Sequence, residues 1–224
     1  MLKFIYEVII VAKRIFITAT NTDIGKTYTT KLLMQELAKK GYRVGVIKAI
    51  ETGVVDGVYP DGDALLALLK QLNPHAWSLS VEDIVPISYE LPAAPCVASN
   101  FSEINYQKIQ SAVERQDSLC DVLFIEGAGG LFVPIDEHFM MIDLIKELKA
   151  KTILVTHCSL GCINDTLIHQ KALIDFGIVN EVFFNCREGE QENFQKVSLP
   201  YFQKIFPEVL TTANLEKLVT KIML

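Results

Sequence analysis

The sequence predicts a single α/β domain built on a mostly parallel β-sheet with helices on both faces. Short apolar runs alternate along the chain with stretches whose apolar residues repeat at helical spacing, and short turns join them. The chain has 224 residues, of which 50% are hydrophobic, and this is enough for one substantial core. No repeat, low-complexity segment or linker divides the sequence, so we expect residues 1–224 to form one domain.

The alternation predicts five strands and six main helices. The predicted strands are Ile15 to Thr18, Tyr42 to Lys48, Asp121 to Ile125, Thr152 to Val155 and Val179 to Phe184. The predicted helices are Lys26 to Lys40, Asp63 to Leu72, Ser102 to Gln116, Met141 to Ala150, Gly161 to Phe176 and Ala213 to Met223. Four prolines make the stretch from Asn73 to Pro95 irregular. We interpret Met1 to Ala12 as an extension that pairs with the sheet edge or leads into it.

Composition narrows the class of protein. The net charge is −6 and no basic run exceeds two residues, which argues against nucleic acid as the main partner. Glu7 interrupts the apolar N-terminal stretch, so it does not read as a signal peptide, and we expect no membrane span. Five cysteines without a Cys-x-x-Cys pair favour reduced thiols and no cysteine metal site. We therefore expect a cytoplasmic protein.

A polar loop after the first strand is typical of a phosphate-binding loop. It ends in Gly25-Lys26-Thr27, and a helical repeat follows it directly. In such a junction the backbone N–H groups and the helix N-terminus converge on phosphate oxygens. Lys26 adds a charge, and the Thr27 hydroxyl adds a magnesium ligand. Thr20 occupies the position of the usual first glycine, so the motif is a variant; a chance Gly-Lys-Thr loop is the alternative.

Polar residues follow other predicted strands at the carboxyl edge of the sheet, where ligands of open parallel sheets bind. Thr27, Asp63 and Glu126 supply the hard oxygen ligands that magnesium prefers. Asp63 also fits a simple helix cap. Lys48 ends the second strand and suits a carboxylate or carbamate that is being phosphorylated, because it can stabilise charge on the transferred group. A solvated surface lysine is the alternative at this position.

Together these residues resemble the dethiobiotin synthase family, a branch of the deviant P-loop NTPases. The resemblance covers about Arg14 to Asn185 and includes five motifs in order. They are Thr20 to Thr27, Lys48 to Gly53, Asp63-Ala64, Glu126 to Gly130 and Leu160 to Asn164. The resemblance implies an ATP-dependent ligase of biotin biosynthesis that needs Mg²⁺. It would convert 7,8-diaminononanoate and CO2 to dethiobiotin through a carbamate and its mixed phosphoric anhydride.

The resemblance also implies a role for each matching residue. Lys48 and Lys26 would be catalytic, and Thr27, Asp63 and Glu126 would hold the metal. The implied nucleotide contacts are Asp23, Ile24, Gly25, Lys26, Thr27, Tyr28, Asp63, Glu126, Gly127, Ala128, Gly129, Asn185, Cys186, Leu199, Pro200 and Tyr201. The implied substrate contacts are Thr22, Thr52, Gly161, Cys162, Ile163 and Asn164. In the family the helix that begins at Gly161 comes from the neighbouring subunit, which implies a homodimer.

The chain departs from the family pattern at several positions. Compared with the family's own loop pattern, which differs from the general phosphate-loop spacing, Ala19 stands where the family has its first glycine. Ala49 stands where the family has proline, and Cys96 where it has histidine. The larger departure lies in residues 186–224, which form a shortened C-terminal region. Between Asn185 and Leu199-Pro200-Tyr201 the family carries a further helix and strand that this sequence lacks. We therefore predict loose discrimination between ATP, GTP and CTP.

We considered three other functions, and for each of them the sequence contains an observation against it. A regulatory switch ATPase of the partitioning or septum-positioning class would carry a signature lysine where Asn21 stands. A cobyrinate-type amidating enzyme would need a glutaminase domain, for which the chain has no room. A non-catalytic nucleotide-binding module would have no use for Lys48, Asp63 and Glu126 together.

Overall fold

The computed structural model describes residues 12–224, and its centre is a six-stranded parallel sheet. In chain order the strands are β1 Lys13–Ala19, β2 Val44–Lys48, β3 Glu51–Thr52, β4 Ser88–Tyr89, β5 Val122–Gly130, β6 Lys151–Thr156, β7 Asn180–Phe184 and β8 Leu210–Thr211. The sheet has the order β2-β5-β1-β6-β7-β8, and every pairing in it is parallel. The short strands β3 and β4 pair with each other in a separate two-stranded sheet.

In the described part of the chain, ten α-helices connect and flank the strands. They are α1 Lys26–Lys39, α2 Pro60–Leu72, α3 Val81–Ile84, α4 Pro95–Ala98, α5 Tyr106–Asp117, α6 Met141–Leu148, α7 Cys162–Asp175, α8 Gln191–Val197, α9 Leu199–Ile205 and α10 Leu215–Met223. Two 3₁₀ turns, Pro74–Ala76 and Thr212–Asn214, add to them. Within residues 12–224 no helix has the length and apolar character needed to cross a membrane.

The alternation of side chains along the strands builds a core on each face of the sheet. In β1, Ile15 and Ile17 belong to one buried cluster and Phe16 belongs to the other. Helix α1 contributes Leu33 to the first cluster, while α6 contributes Met141 to the second. The predicted α/β fold with helices on both faces of a parallel sheet is therefore confirmed.

The structure corrects the prediction in the C-terminal region. The sequence between Asn185 and Leu199 contains helix α8, and the final strand appears later as the two-residue β8. Leu199-Pro200-Tyr201 forms the first turn of α9, with proline in the N-terminal turn that it favours, and does not follow a strand. The proposal that Met1 to Ala12 pairs with the sheet edge falls, except for Ala12, outside the described residues.

Candidate active site

The phosphate loop lies between β1 and α1, as predicted. Gly25 caps the helix with φ of 98°, a conformation that glycine adopts without strain. A Cβ atom added at this position would lie 2.1 Å from Asn185 Nδ2, so glycine also admits the neighbouring amide. Burial, and then the charge of Lys48, lowers the pKa of Lys26 to about 8. A bound phosphate would supply the negative charge that stabilises this ammonium group.

Lys48 and Glu126 form the buried centre of the site. They are register partners on the neighbouring strands β2 and β5, so their side chains project from the same level of the sheet. Lys48 Nζ lies 2.8 Å from Glu126 Oε1 and 2.5 Å from Asp61 Oδ2. Burial by itself lowers the pKa of Lys48, but the two carboxylates outweigh burial and raise it above its usual value. The alternative of a solvated surface lysine is thus excluded, because Lys48 is 4% exposed.

The acidic residue beside Lys48 is Asp61 and not the predicted Asp63. Helix α2 begins at Pro60, which places Asp61 in its first turn. Glu51 is buried and accepts the backbone N–H groups of Asp61 at 2.6 Å and Gly62 at 2.9 Å, which fixes this helix start. Asp63 Oδ2 instead accepts the backbone N–H of Tyr59, so Asp63 stabilises the helix start from within the helix, although the N-cap residue is Tyr59 and not Asp63. Burial favours a raised pKa for Asp61, but Lys48 and Thr27 hold it below its usual value.

Three oxygen-bearing side chains of this cluster fit a magnesium ion. The Thr27 hydroxyl lies 2.7 Å from Glu126 Oε1 and 2.9 Å from Asp61 Oδ1, but it has one proton to donate between them. The cluster therefore retains free carboxylate lone pairs, which are the hard ligands that Mg²⁺ prefers. Thr30 Oγ1 lies 2.8 Å from Glu126 Oε2 and orients that fully buried carboxylate. Residues 12–224 contain no group of three or more His, Cys, Asp or Glu side chains suited to a metal.

A cavity of about 960 Å³ opens over the phosphate loop and this cluster. The residues lining it are Thr22, Asp23, Gly25, Lys26, Thr27, Lys48, Ile50, Glu51, Thr52, Pro60, Asp61, Pro92, Ala93, Ala94, Pro95, Ala128, Gly129, Val133 and Arg187. Thr22 and Thr52, two of the six predicted substrate contacts, thus lie in the same cavity as Lys48. Glu126 on β5 is not among the lining residues, but it contacts two of them, Lys48 and Thr27. Ile24, Tyr28, Asp63 and Gly127 are not among the lining residues.

The predicted substrate helix α7 begins away from this cavity. Gly161 caps the helix with φ of 98°, and Cys162, Ile163 and Asn164 form its first turn. None of these four residues lines the cavity of the same chain. The preceding Leu160 is 83% exposed, so this helix start presents an apolar side chain at the surface.

The residues that follow β7 lie against the phosphate loop and beside a second cavity. Asn185 Nδ2 donates to the Ile24 carbonyl at 2.8 Å. Cys186 and Leu199 line a separate cavity of about 410 Å³ between α8, α9 and the end of β8. The other lining residues are Gln191, Phe194, Gln195, Gln203, Phe206, Pro207, Glu208, Val209, Thr211, Thr212 and Ala213. Pro200 and Tyr201 are not part of it.

Cys158 and Cys186 form a disulfide, which corrects the expectation of five reduced thiols. They follow the neighbouring parallel strands β6 and β7, and this brings their Cα atoms to 4.9 Å, within the usual range for a disulfide. Cys96, Cys120 and Cys162 are free and buried. Burial, and then Asp117, raises the pKa of the Cys120 thiol to about 12, so this thiol is unreactive at neutral pH.

We expect reduction of this disulfide to lower the free energy of unfolding by about 3 to 4 kcal/mol, because the bond closes a loop across a separation of 28 residues. Urea unfolding with and without dithiothreitol measures the difference. A Cys158→Ser/Cys186→Ser double variant is the control and should not respond to the reductant. Under denaturing, non-reducing conditions three of the five thiols should react with a thiol reagent. Five reactive thiols would contradict the bond.

Four residues of the site do not stand out as functional residues in the sequence. Asp61 competes with Asp63 two positions later, and the start of α2 decides between them. Glu51 belongs to the recognised Lys48 to Gly53 motif, but its role depends on the backbone of α2. Thr30 lies three residues after Thr27 on α1, and residues at this spacing share a helix face. The spacing therefore indicates that Thr30 can lie near the same partner as Thr27, which is Glu126. Arg187 lies in a charged loop with no periodic pattern.

Comparison with known proteins identifies the relatives of this chain. Residues 13–206 match the family model described as an AAA domain. An ATP-dependent dethiobiotin synthetase from Sulfurovum sp. is 45% identical over 193 residues, which cover 86% of this chain and 91% of the relative. The chain belongs to the dethiobiotin synthetase family. Family members from Wolinella succinogenes and Methanocaldococcus jannaschii are each 36% identical, and 89% and 90% of their lengths are covered.

Solved structures agree on the fold. A plasmid partition protein from Borrelia burgdorferi has a TM-score of 0.55 and 12% identity over 90% of this chain and 89% of its own. The MinC:MinD cell division complex of Aquifex aeolicus has a TM-score of 0.51 and 20% identity over 89% of this chain and 79% of the other. At these identities the likeness concerns the fold alone. These structures therefore do not favour the alternative function of a regulatory switch ATPase.

Proposed function

We propose that this protein catalyses the ATP-dependent closure of a cyclic urea from 7,8-diaminononanoate and CO2 in biotin biosynthesis. One amine adds to CO2 and forms a carbamate. A carbamate oxygen then attacks the γ-phosphorus of ATP, and ADP leaves. The second amine attacks the activated carbonyl carbon, the ring closes and inorganic phosphate leaves. The observation that carries this proposal is the buried Lys48, held by Glu126 and Asp61, in one cavity with the phosphate loop and with Thr22 and Thr52.

Four side chains of the cavity would have tasks in this reaction. Lys26 and the backbone N–H groups that precede α1 would hold the β- and γ-phosphates. Lys48 stays charged at neutral pH, since its pKa is raised, and would stabilise the negative charge of the carbamate and of the phosphoryl group in transfer. Thr22 and Thr52 carry hydroxyl groups that would hydrogen-bond the amine or the carbamate.

We assign the magnesium ion of the nucleotide to Thr27, Asp61 and Glu126. Magnesium would neutralise charge on the phosphates and align the nucleotide. Their own contacts hold these three residues in place, with Glu51 fixing the start of α2 and Thr30 orienting Glu126. This assignment replaces the implied set that included Asp63.

The release of ADP tests the proposal. Purified protein with magnesium and ATP should release ADP only when both bicarbonate and 7,8-diaminononanoate are present, and mass spectrometry should detect dethiobiotin. ADP release at the same rate without the diamine would contradict the synthetase function and would favour a switch ATPase. Replacing ATP by GTP or CTP in the same assay tests the predicted loose base discrimination, and a strong preference for ATP would oppose it.

We further propose a homodimer in which the start of α7 from one subunit completes the substrate site of the other. In support, Gly161 to Asn164 do not line the cavity of their own chain, and Leu160 is exposed beside them. An anionic carboxylate of the substrate is suited to the N-terminus of this 14-residue helix.

Mixed dimers test the shared site. Lys48→Ala inactivates the cavity of its own subunit, and Gly161→Val, which strains the cap at φ of 98°, inactivates the helix start. When equal amounts of the two variants are unfolded together and refolded, half of the dimers should be mixed, and each mixed dimer should have one intact site. We expect about a quarter of the wild-type activity from the mixture, because a two-fold interface is reciprocal. Activity no greater than that of the separate variants would contradict a shared site.

A further inference from the structure

The loop between β7 and α8 holds an arginine against the phosphate loop. Arg187 Nη2 donates a hydrogen bond to the Asp23 carbonyl, and the Arg187 side chain lines the same cavity as Lys26, Thr27 and Lys48. None of the five motifs includes Arg187, and the proposed reaction mechanism does not use it.

Contacts within the protein fix this loop at several points. The Asn185 backbone N–H donates to the Thr156 carbonyl at 2.8 Å, and its side-chain amide donates to the Ile24 carbonyl at 2.8 Å. Cys186 is tied to Cys158 by the disulfide. The Arg187 backbone N–H donates to Glu190 Oε2 at 2.9 Å. The guanidinium group is therefore carried on a backbone that is already held against the phosphate loop, and little ordering would be needed on binding.

The charges around the cavity leave Arg187 available to an anion. Lys48 is neutralised by Glu126 and Asp61, whereas the guanidinium of Arg187 has no carboxylate within 4.0 Å among residues 12–224. Its hydrogen bond to the Asp23 carbonyl uses one of five N–H donors. The other donors have the fork geometry that matches phosphate oxygens. Lys26 and Arg187 are thus the cations of the cavity lining that are not committed to a carboxylate.

We propose that Arg187 binds the triphosphate of the nucleotide and acts with Lys26 as a second phosphate-binding cation. This inference rests on the proposed function insofar as it takes a nucleoside triphosphate as the ligand. The bond to the Asp23 carbonyl holds the guanidinium in place while its remaining donors contact phosphate oxygens. Arg187 is thus a binding residue that contacts the phosphates through its charge and its hydrogen bonds. It does not contact the base.

Direct binding of phosphate-containing ligands tests the role of Arg187. Isothermal titration calorimetry with magnesium measures the affinity of wild type, Arg187→Gln and Arg187→Lys for ATP, for inorganic tripolyphosphate and for adenosine. We expect Arg187→Gln to bind ATP and tripolyphosphate about tenfold or more weakly, the range of a lost charge-assisted hydrogen bond, and to bind adenosine with the affinity of wild type. Arg187→Lys retains the charge and should lose less.

A matched variant and a kinetic readout separate this role from a structural one. Arg115→Gln removes another exposed arginine, which pairs with Asp83 and does not line the cavity. This variant should bind all three ligands like wild type. In turnover, Arg187→Gln should raise the KM for ATP and leave the KM for the diamine unchanged. Tripolyphosphate binding by Arg187→Gln equal to that of wild type overturns the inference, as does an equal loss of adenosine affinity.

The outcomes also distinguish this inference from the proposed function. If wild type binds ATP with dependence on Arg187 but makes no dethiobiotin, the synthetase function fails and the phosphate-binding role stands. If wild type makes dethiobiotin and Arg187→Gln binds tripolyphosphate equally well, the phosphate-binding role alone is wrong.

Discussion

Replacement of Lys48 by alanine should reduce kcat by about 10² to 10³-fold. The side chain is the buried cation beside the phosphate loop, and removal of one preorganised group that stabilises transition-state charge has this magnitude. The same change leaves the fully buried Glu126 without its cation. We therefore also expect the free energy of unfolding to fall by about 3 to 5 kcal/mol. Steady-state kinetics and urea unfolding measure the two effects.

A second variant separates the loss of chemistry from the loss of stability. Lys48→Met/Glu126→Gln removes both charges together, so it should regain much of the lost stability but none of the activity. Lys39→Ala is the matched lysine control, because its exposed ammonium group pairs with Glu36 on the surface of α1. Activity of Lys48→Ala within a few-fold of wild type would show that the transferred phosphoryl group does not depend on Lys48.

Asp61→Asn and Asp63→Asn should differ strongly although the two residues are two positions apart. Asp61 contacts Lys48 and Thr27, whereas Asp63 stabilises the helix start through the Tyr59 N–H. We expect Asp61→Asn to lower kcat/KM for ATP by about 10²-fold or more and to raise the magnesium concentration needed for half-maximal rate. Asp63→Asn should change activity less than threefold, since the amide oxygen of asparagine can accept the same Tyr59 N–H, and the hydrogen bond itself contributes only about 1 kcal/mol to stability.

Magnesium titrations of the two variants under saturating ATP make this comparison. The two substitutions are chemically identical and lie in the same helix, so each is the control for the other. If Asp63→Asn loses magnesium dependence and Asp61→Asn behaves like wild type, the ligand set read from the sequence is correct and the one taken from the structure is wrong.

These two aspartates also show where sequence patterns stop being sufficient. Successive residues of a helix are rotated by about 100°, so Asp61 and Asp63 point about 160° apart, to nearly opposite sides of the helix. Which of them faces Lys48 depends on where α2 begins, and the buried carboxylate of Glu51 sets that start through the N–H groups of Asp61 and Gly62. The acidic character of the site was thus predictable, but the identity of the acid required tertiary contacts.

The strands of the sheet were predictable because their apolar runs are local signals. Glu126 and Lys48 could be assigned to the site because the ends of parallel strands meet at one edge, and their register pairing confirms that they are neighbours. The C-terminal region was harder to predict. Strand β8 has two residues, too few for a periodic signal, and its position depends on pairing with β7.

The disulfide was missed for a different reason. Pairing of cysteines cannot be deduced from their number and spacing, and Cys158 and Cys186 meet only because β6 and β7 are adjacent. Arg187 was missed because it lies in a charged loop, and its position against Asp23 follows from the contacts of Asn185 and Cys186. Both depend on the order of strands in the sheet.

If the cavity phosphorylates a carbamate, one oxygen atom of CO2 must pass to the released phosphate. In this mechanism the carbamate oxygen attacks phosphorus and leaves with the phosphate when the ring closes. The reaction is run with C¹⁸O2, the diamine, magnesium and ATP for times shorter than oxygen exchange with water, and phosphate is analysed by mass spectrometry. We predict one ¹⁸O atom in each phosphate released. Unlabelled phosphate, released together with ADP, would show that the phosphoryl group passes to water and would contradict the account.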